Sequence, residues 1–68
     1  MQHIRDLKYK GHERVIIKEL SGKYIADVRA DNYDGEILTG WDGLESEEKA
    51  ILTAKQFINE LNNNKKEG

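Results

Sequence analysis

Hydrophobic residues along this chain recur with two different periods, and the period changes near residue 46. Upstream, apolar and polar positions alternate in four stretches, at residues 3–9, 13–20, 23–30 and 36–41, as β-strands require. From residue 46 to 61 the apolar positions instead have the spacing of one helix face; they are Ala50, Ile51, Ala54, Phe57, Ile58 and Leu61. The pattern predicts an α+β fold, an antiparallel three- to four-stranded β-meander with one C-terminal α-helix packed on one face.

Two short turns set the predicted register of the first three strands. Ser21-Gly22 predicts a two-residue hairpin turn, in which the glycine supplies a positive φ. Residues 10–12 predict a three-residue turn between the first two strands. Taken together, the two turns place one set of residues on a common face, which we expect to lie beneath the helix; the set is Leu7, Tyr9, Val15, Ile17, Tyr24, Ala26 and Val28.

The connection after the third strand leaves two registers open. A four-residue loop directs Ile37, Thr39 and Trp41 inward, whereas a five-residue loop directs Leu38 inward instead. The shorter loop is favoured because it buries Trp41, the largest apolar side chain, beneath the helix.

The helix has clear start signals and a polar end. Ser46 is the expected N-cap, and Glu47 and Glu48 follow it in the first turn, where the helix dipole favours negative charge. Residues 62–68 are polar and rich in asparagine. We therefore predict that residues 1–61 form a single ββββα domain and that residues 62–68 form a disordered polar tail.

The size and composition describe one small domain. The chain has 68 residues, a net charge of −2 and no cysteine, so it has neither a disulfide nor a thiol nucleophile. A core this small is close to the lower limit for stability, which makes self-association plausible. The first residues contain no apolar run that could serve as a signal peptide or membrane span, and we therefore expect a cytoplasmic protein.

No set of residues predicts catalysis. His3 and His12 are the only imidazoles, and the predicted register places neither beside a nucleophile or a second metal ligand. We expect no metal, no cofactor and no enzymatic activity.

A nucleic-acid surface is a disfavoured alternative. The acidic run Glu45-Ser46-Glu47-Glu48 would repel phosphate at the start of the helix, where a helix N-terminus normally attracts it. If nucleic acid does bind, the sheet carries the candidate residues; these are Lys8, Lys10, Arg14, Lys18, Lys23 and Arg29.

A protein interface is the leading hypothesis. The predicted register leaves four apolar residues on the sheet face away from the helix, where they would form a contact patch; they are Ile4, Ile16, Ile25 and Leu38. We predict a small protein-interaction domain that binds a protein partner or a second copy of itself through this face or through an open sheet edge.

Two segments also resemble a known family. The run Gly22-Lys23-Tyr24-Ile25-Ala26-Asp27-Val28 and the later run from Gly43 to Ala50, followed by the apolar helix, resemble HicB-type antitoxins, in which the second half of a β-meander leads into a similar helix start. The resemblance covers residues 22–61. It implies the meander-plus-helix scaffold, binding to a small basic toxin and repression of the protein's own operon. It assigns no binding residues in this chain.

Overall fold

Four antiparallel strands and one helix make up the part of the chain that the computed structural model describes, residues 1–30 and 35–67, with only the backbone for residues 64–67. The elements are β1 (Gln2–Tyr9), β2 (His12–Lys18), β3 (Tyr24–Ala30), β4 (Ile37–Leu44) and α1 (Glu47–Glu67). The strands form one sheet in the order β1-β2-β3-β4, and α1 packs on one of its faces. The predicted α+β meander is therefore confirmed, with all four strands present.

The core is a single layer between the sheet and α1. Its fully buried members come equally from the sheet and from the helix; they are Ile16, Ala26, Val28, Ala50, Ala54 and Ile58. Three of the six are alanines, whose short side chains allow the helix to lie close to the central strands. Partly buried apolar residues surround this layer; they are Ile4, Tyr9, Tyr24, Trp41, Leu44, Ile51 and Phe57.

The register between β2 and β3 differs by one residue from the predicted one. Ile16 lies opposite Ala26, where Ile17 was predicted. The cause is the turn, because Glu19 rather than Leu20 lies opposite Lys23 and the loop is one residue longer than predicted: the Glu19 carbonyl accepts a hydrogen bond from the Gly22 N–H at 3.0 Å. Gly22 supplies the expected positive φ, 94°. Since side chains alternate between faces, this one-residue shift places Ile16 beneath the helix and Ile17 on the other face.

The turn between β1 and β2, by contrast, is one residue shorter than predicted. Tyr9 pairs with His12, so the turn consists of Lys10 and Gly11. Their φ values are 47° and 79°, and positive values at both central residues define the type I′ turn that suits the twist of a hairpin. An irregularity in the pairing near Ile4 then turns this residue toward the core.

The edge strand β4 follows the favoured register in its central part. Thr39 pairs with Val28 and Trp41 with Ala26, so Trp41 reaches the helix as predicted. Its ring meets that of Phe57 edge-to-face, with 5.5 Å between the centroids. The prediction is wrong for Ile37, which is 62% exposed beside a second pairing irregularity. The predicted turn at residues 31–34 lies outside the described residues.

The helix starts as predicted and ends later. Ser46 is the N-cap: its Oγ accepts a hydrogen bond from the Lys49 N–H, and its carbonyl accepts one from Ala50, both at 3.1 Å. The backbone stays helical beyond Leu61 as far as Glu67, so the predicted helix end is wrong. The reason is that each added residue gains one hydrogen bond, and no proline or glycine interrupts the segment.

Loss of the cap should weaken the fold measurably. We expect Ser46→Ala to lower the free energy of unfolding by about 1 kcal/mol, because the Lys49 N–H loses its acceptor. Urea unfolding followed by circular dichroism measures this change. Ser46→Asp should retain most of the stability. Equal stability of Ser46→Ala and the unmodified chain would contradict the assignment of the cap.

Candidate interaction surfaces

The sheet has an uncovered side, here called the open face, which points away from α1. The pairing places Ile17 between His3 and Ile25 on this face. In the next row Val15 lies between Asp6 and Asp27, and Asp27 lies opposite Gly40 of β4. The open face is therefore a mixed surface, with three apolar residues on its two central strands and carboxylates beside them.

The open face offers little accessible apolar area. Val15 is only 8% exposed, although no second layer covers it. The contact patch predicted from the sequence is not assembled: Ile16 is fully buried under the helix, and Ile4 packs against the same core. The placement of these two residues on the open face was wrong because of the register shift. Ile25 lies on this face, and Leu38 is 44% exposed at the β4 edge.

The two edges of the sheet differ in chemistry. The β1 edge carries four histidine, acidic or basic side chains and a pairing irregularity, both of which discourage the addition of another strand. Three of its residues are engaged in side-chain contacts of 2.7 Å: His3 with Asp6 in a hydrogen bond, and Arg5 with Glu47 in a salt bridge. The β4 edge contains no charged residue from position 37 to 41. It also exposes Ile37 and Leu38. The β4 edge is therefore the unprotected one.

A shallow groove of about 610 Å³ runs beside β4. Its lining combines apolar side chains with two carboxylates; the residues are Ile25, Asp27, Gly40, Trp41, Asp42 and Leu44. The Asp27 carboxylate leans over Gly40 and occupies the space that a Cβ at that position would need. Gly40 thus allows a charged group of β3 to reach the edge strand.

The surroundings of β4 are acidic. Residues 36–48 contain five carboxylates and no lysine or arginine. Asp27 adds another carboxylate beside the strand. Glu19 reaches β4 from the turn between β2 and β3, and its Oε2 accepts a hydrogen bond from the Gly43 N–H at 3.1 Å. A partner at this edge therefore meets a field of negative charge.

The six basic residues predicted as a nucleic-acid surface do not lie together on one face of the sheet. Lys10 and Arg14 lie against the ring of Tyr9, at the turn between β1 and β2. Lys18 lies over the Tyr24 ring, 5.9 Å from its centroid, near the opposite end of the sheet.

The remaining three cations are elsewhere. Lys8 and Arg29 flank Glu13 in a row across the open face, where opposite charges alternate. Lys23 is exposed in the turn that precedes β3. The positive charge of the sheet is therefore distributed over its two ends, its open face and a turn. The sequence also gave no hint of Lys55, which joins Lys10 and Arg14 at Tyr9 because α1 docks beside β1.

Metal binding and membrane insertion are two further possibilities for the described residues. No group of three or more histidine or acidic side chains there could hold a metal ion. The His12 Nδ1 lies 3.1 Å from the Lys10 carbonyl. Within residues 1–30 and 35–67, α1 is not apolar enough to cross a membrane. Comparison with family models, curated proteins and solved structures finds no match for this chain.

Proposed function

We propose that this protein is a non-enzymatic protein-interaction domain whose β4 edge accepts an extended segment of a partner protein as a fifth strand. The contrast between the two sheet edges carries the proposal. An extended segment gains main-chain hydrogen bonds by pairing with an exposed strand, and side-chain pockets beside that strand supply specificity. The uncharged stretch 37–41 and the adjacent groove offer both features.

The chemistry of the edge favours a basic partner. A lysine or arginine in the added strand could lay its apolar stem against Ile25 and place its charged head near Asp27 and Asp42. A second copy of the chain fits less well. Symmetric antiparallel pairing of two β4 strands about Thr39 would place Glu36 opposite Asp42 of the other copy, and like charges directly opposite destabilise a sheet.

A HicB-type antitoxin role is a second candidate. That resemblance implies a small basic toxin as the partner, and the acidic surroundings of β4 are complementary to such a protein. A small basic reading frame next to the gene would favour this role. A nucleic-acid role has less support, since the basic residues of the sheet are dispersed.

Binding of a basic strand should be measurable with a defined probe. We expect a synthetic peptide of alternating lysine and valine to shift the backbone amide resonances of residues 37–44 in a two-dimensional NMR titration. Leu38→Lys should weaken this binding about tenfold, because it adds a like charge at the edge. Leu52→Lys is the matched control, since Leu52 is similarly exposed but belongs to the helix.

Three results would contradict the proposal. The first is a peptide of alternating glutamate and valine binding as tightly as the basic one. The second is that the resonance shifts map to β1 or α1 in place of β4. The third is a stable dimer of the unmodified chain, measured by solution mass, that Leu38→Lys dissociates, because this result would assign the edge to a second copy.

A further inference from the structure

Three cations converge on one aromatic ring at the end of the sheet where β1 turns into β2. The Cζ of Arg14 lies 5.0 Å from the centroid of the Tyr9 ring, the Nζ of Lys10 lies 5.3 Å from it, and the Nζ of Lys55 lies 5.5 Å from it. These residues come from β1, the turn, β2 and α1. We call Tyr9, Lys10, Arg14, Lys55 and Asn59 the Tyr9 cluster.

Among the described side chains, residues 1–30 and 35–63, no cation of the cluster forms a salt bridge with an acid. The salt bridge between Arg5 and Glu47 and the hydrogen bond between His3 and Asp6 both lie outside the cluster. Glu13 is adjacent to Arg14 in sequence, but alternation along β2 places it on the open face. The separations among the three cations are comparable with the Debye length of about 8 to 10 Å, so physiological salt does not fully screen their repulsion.

The charge of Arg14 is unusually well buried. It is only 8% exposed, and burial lowers the pKa of its guanidinium, although an arginine stays charged at neutral pH. Its Nε donates a long hydrogen bond of 3.4 Å to the Leu7 carbonyl. The ring of Tyr9 offers further, weak compensation. No buried nitrogen of Arg14 lacks a hydrogen-bond partner, and an anion beside the guanidinium would add the charge compensation that the ring supplies only weakly.

The hydrogen-bonding groups of the cluster are mostly donors. Asn59 Oδ1 accepts from the Tyr9 hydroxyl at 2.7 Å and from Lys10 Nζ at 3.2 Å. An ammonium group only donates, so the atom facing Lys10 must be the amide oxygen, and the Asn59 Nδ2 group points elsewhere as a donor. Because Asn59 Oδ1 already accepts two hydrogen bonds, the groups that the cluster offers to a ligand are ammonium, guanidinium and amide donors.

We propose that the Tyr9 cluster binds a phosphate monoester or inorganic phosphate. A phosphate monoester carries a charge of about −1.5 to −2 at neutral pH and three strong acceptor oxygens, which match a site of three cations and several donors. A carboxylate or a phosphodiester supplies only one negative charge. Lys18 lies near the opposite end of the sheet, and Lys8 and Arg29 lie on the open face, so they do not continue the cluster into a track for a nucleic-acid backbone on the helix side of the sheet. This site is separate from the β4 edge.

A titration of the full chain with inorganic phosphate at low ionic strength tests the proposal. We expect the backbone amide resonances of residues 9–14 and 55–59 to shift, and O-phosphoserine to have the same effect at similar concentrations. Dimethyl phosphate, a single-charged diester, should bind about tenfold more weakly. The two monoester probes distinguish a free phosphate from one carried on a protein side chain.

Variants of exposed lysines on α1 make the test specific. Lys55→Gln should weaken phosphate binding about tenfold. Lys49→Gln removes the same charge from the same helix but away from Tyr9, and it should bind phosphate normally. Lys55→Gln should also unfold at a temperature no lower than that of the unmodified chain in phosphate-free buffer, since it relieves repulsion.

Several outcomes would overturn the proposal. They are the absence of shifts at the Tyr9 cluster with inorganic phosphate, equal weakening by Lys55→Gln and Lys49→Gln, and equal binding of dimethyl phosphate and inorganic phosphate. Tighter binding of a single-stranded oligonucleotide than of either monoester would assign the cluster to a nucleic-acid backbone instead. Normal phosphate binding by Leu38→Lys would show that the site is independent of the β4 edge.

Discussion

Ile16→Lys is expected to abolish folding, whereas Ile17→Lys, one residue further along β2, is expected to fold. Ile16 is completely buried in the layer between the sheet and α1, where an ammonium group would have no counter-charge. Burial of an unpaired charge costs several kcal/mol, which is comparable with the entire stability of a domain of this size, about 5 kcal/mol. Ile17 is partly exposed on the open face, so a lysine there can reach water.

Circular dichroism and the dispersion of amide resonances measure this difference directly. The unmodified chain and Ile17→Lys should show the spectra of a folded α+β protein, and Ile16→Lys those of an unfolded chain. The opposite result would restore the register predicted from the turns, with Ile17 beneath the helix. A milder variant, Ile16→Ala, should lower the free energy of unfolding by about 2 to 4 kcal/mol.

Trp41→Ala is expected to have the second largest effect, a loss of about 3 kcal/mol in the free energy of unfolding. The Trp41 ring packs the edge strand β4 against the helix through its edge-to-face contact with Phe57. Truncation removes this contact together with the apolar area that it buries. Urea unfolding followed by circular dichroism gives the value, because the variant lacks the only tryptophan and therefore its fluorescence.

Two controls accompany the Trp41 prediction. Trp41→Phe retains an aromatic ring next to Phe57 and should cost clearly less than Trp41→Ala. Leu20→Ala removes a large apolar side chain that is almost fully exposed, and its effect should stay within about 0.5 kcal/mol. If Trp41→Ala were no more destabilising than Leu20→Ala, the edge strand would not depend on its contact with the helix.

The errors in the predicted register have one origin. β2 carries three consecutive apolar residues, Val15, Ile16 and Ile17, so the alternation that would identify the inward-facing residue is missing there. The register then depended on the turns alone. One turn is a residue longer than predicted and the other a residue shorter. Both errors shift β2 by one residue in the same direction, so the two predicted turns agreed with each other. Lys10 at a positive φ was not predictable, because a non-glycine residue rarely adopts that conformation.

The sequence predicted the kind of interaction surface but not its position on the fold. An open sheet edge was among the predicted surfaces, but the sequence did not show which edge would be unprotected. That difference depends on the order of the strands and on the irregularity that turns Ile4 inward. The Tyr9 cluster was missed because Lys55 is 46 positions from Tyr9 in the chain, and no local pattern relates them.

The sequence by itself determined the α+β class, the order of the elements, the start of the helix at Ser46 and the apolar face of the helix. These features depend on interactions between residues a few positions apart, which leave a period or a cap in the chain. Only the tertiary structure decided which face of β2 meets the helix and which charges gather at Tyr9. These depend on turn geometry and on packing between distant segments, where a shift of one residue exchanges the two faces of a strand.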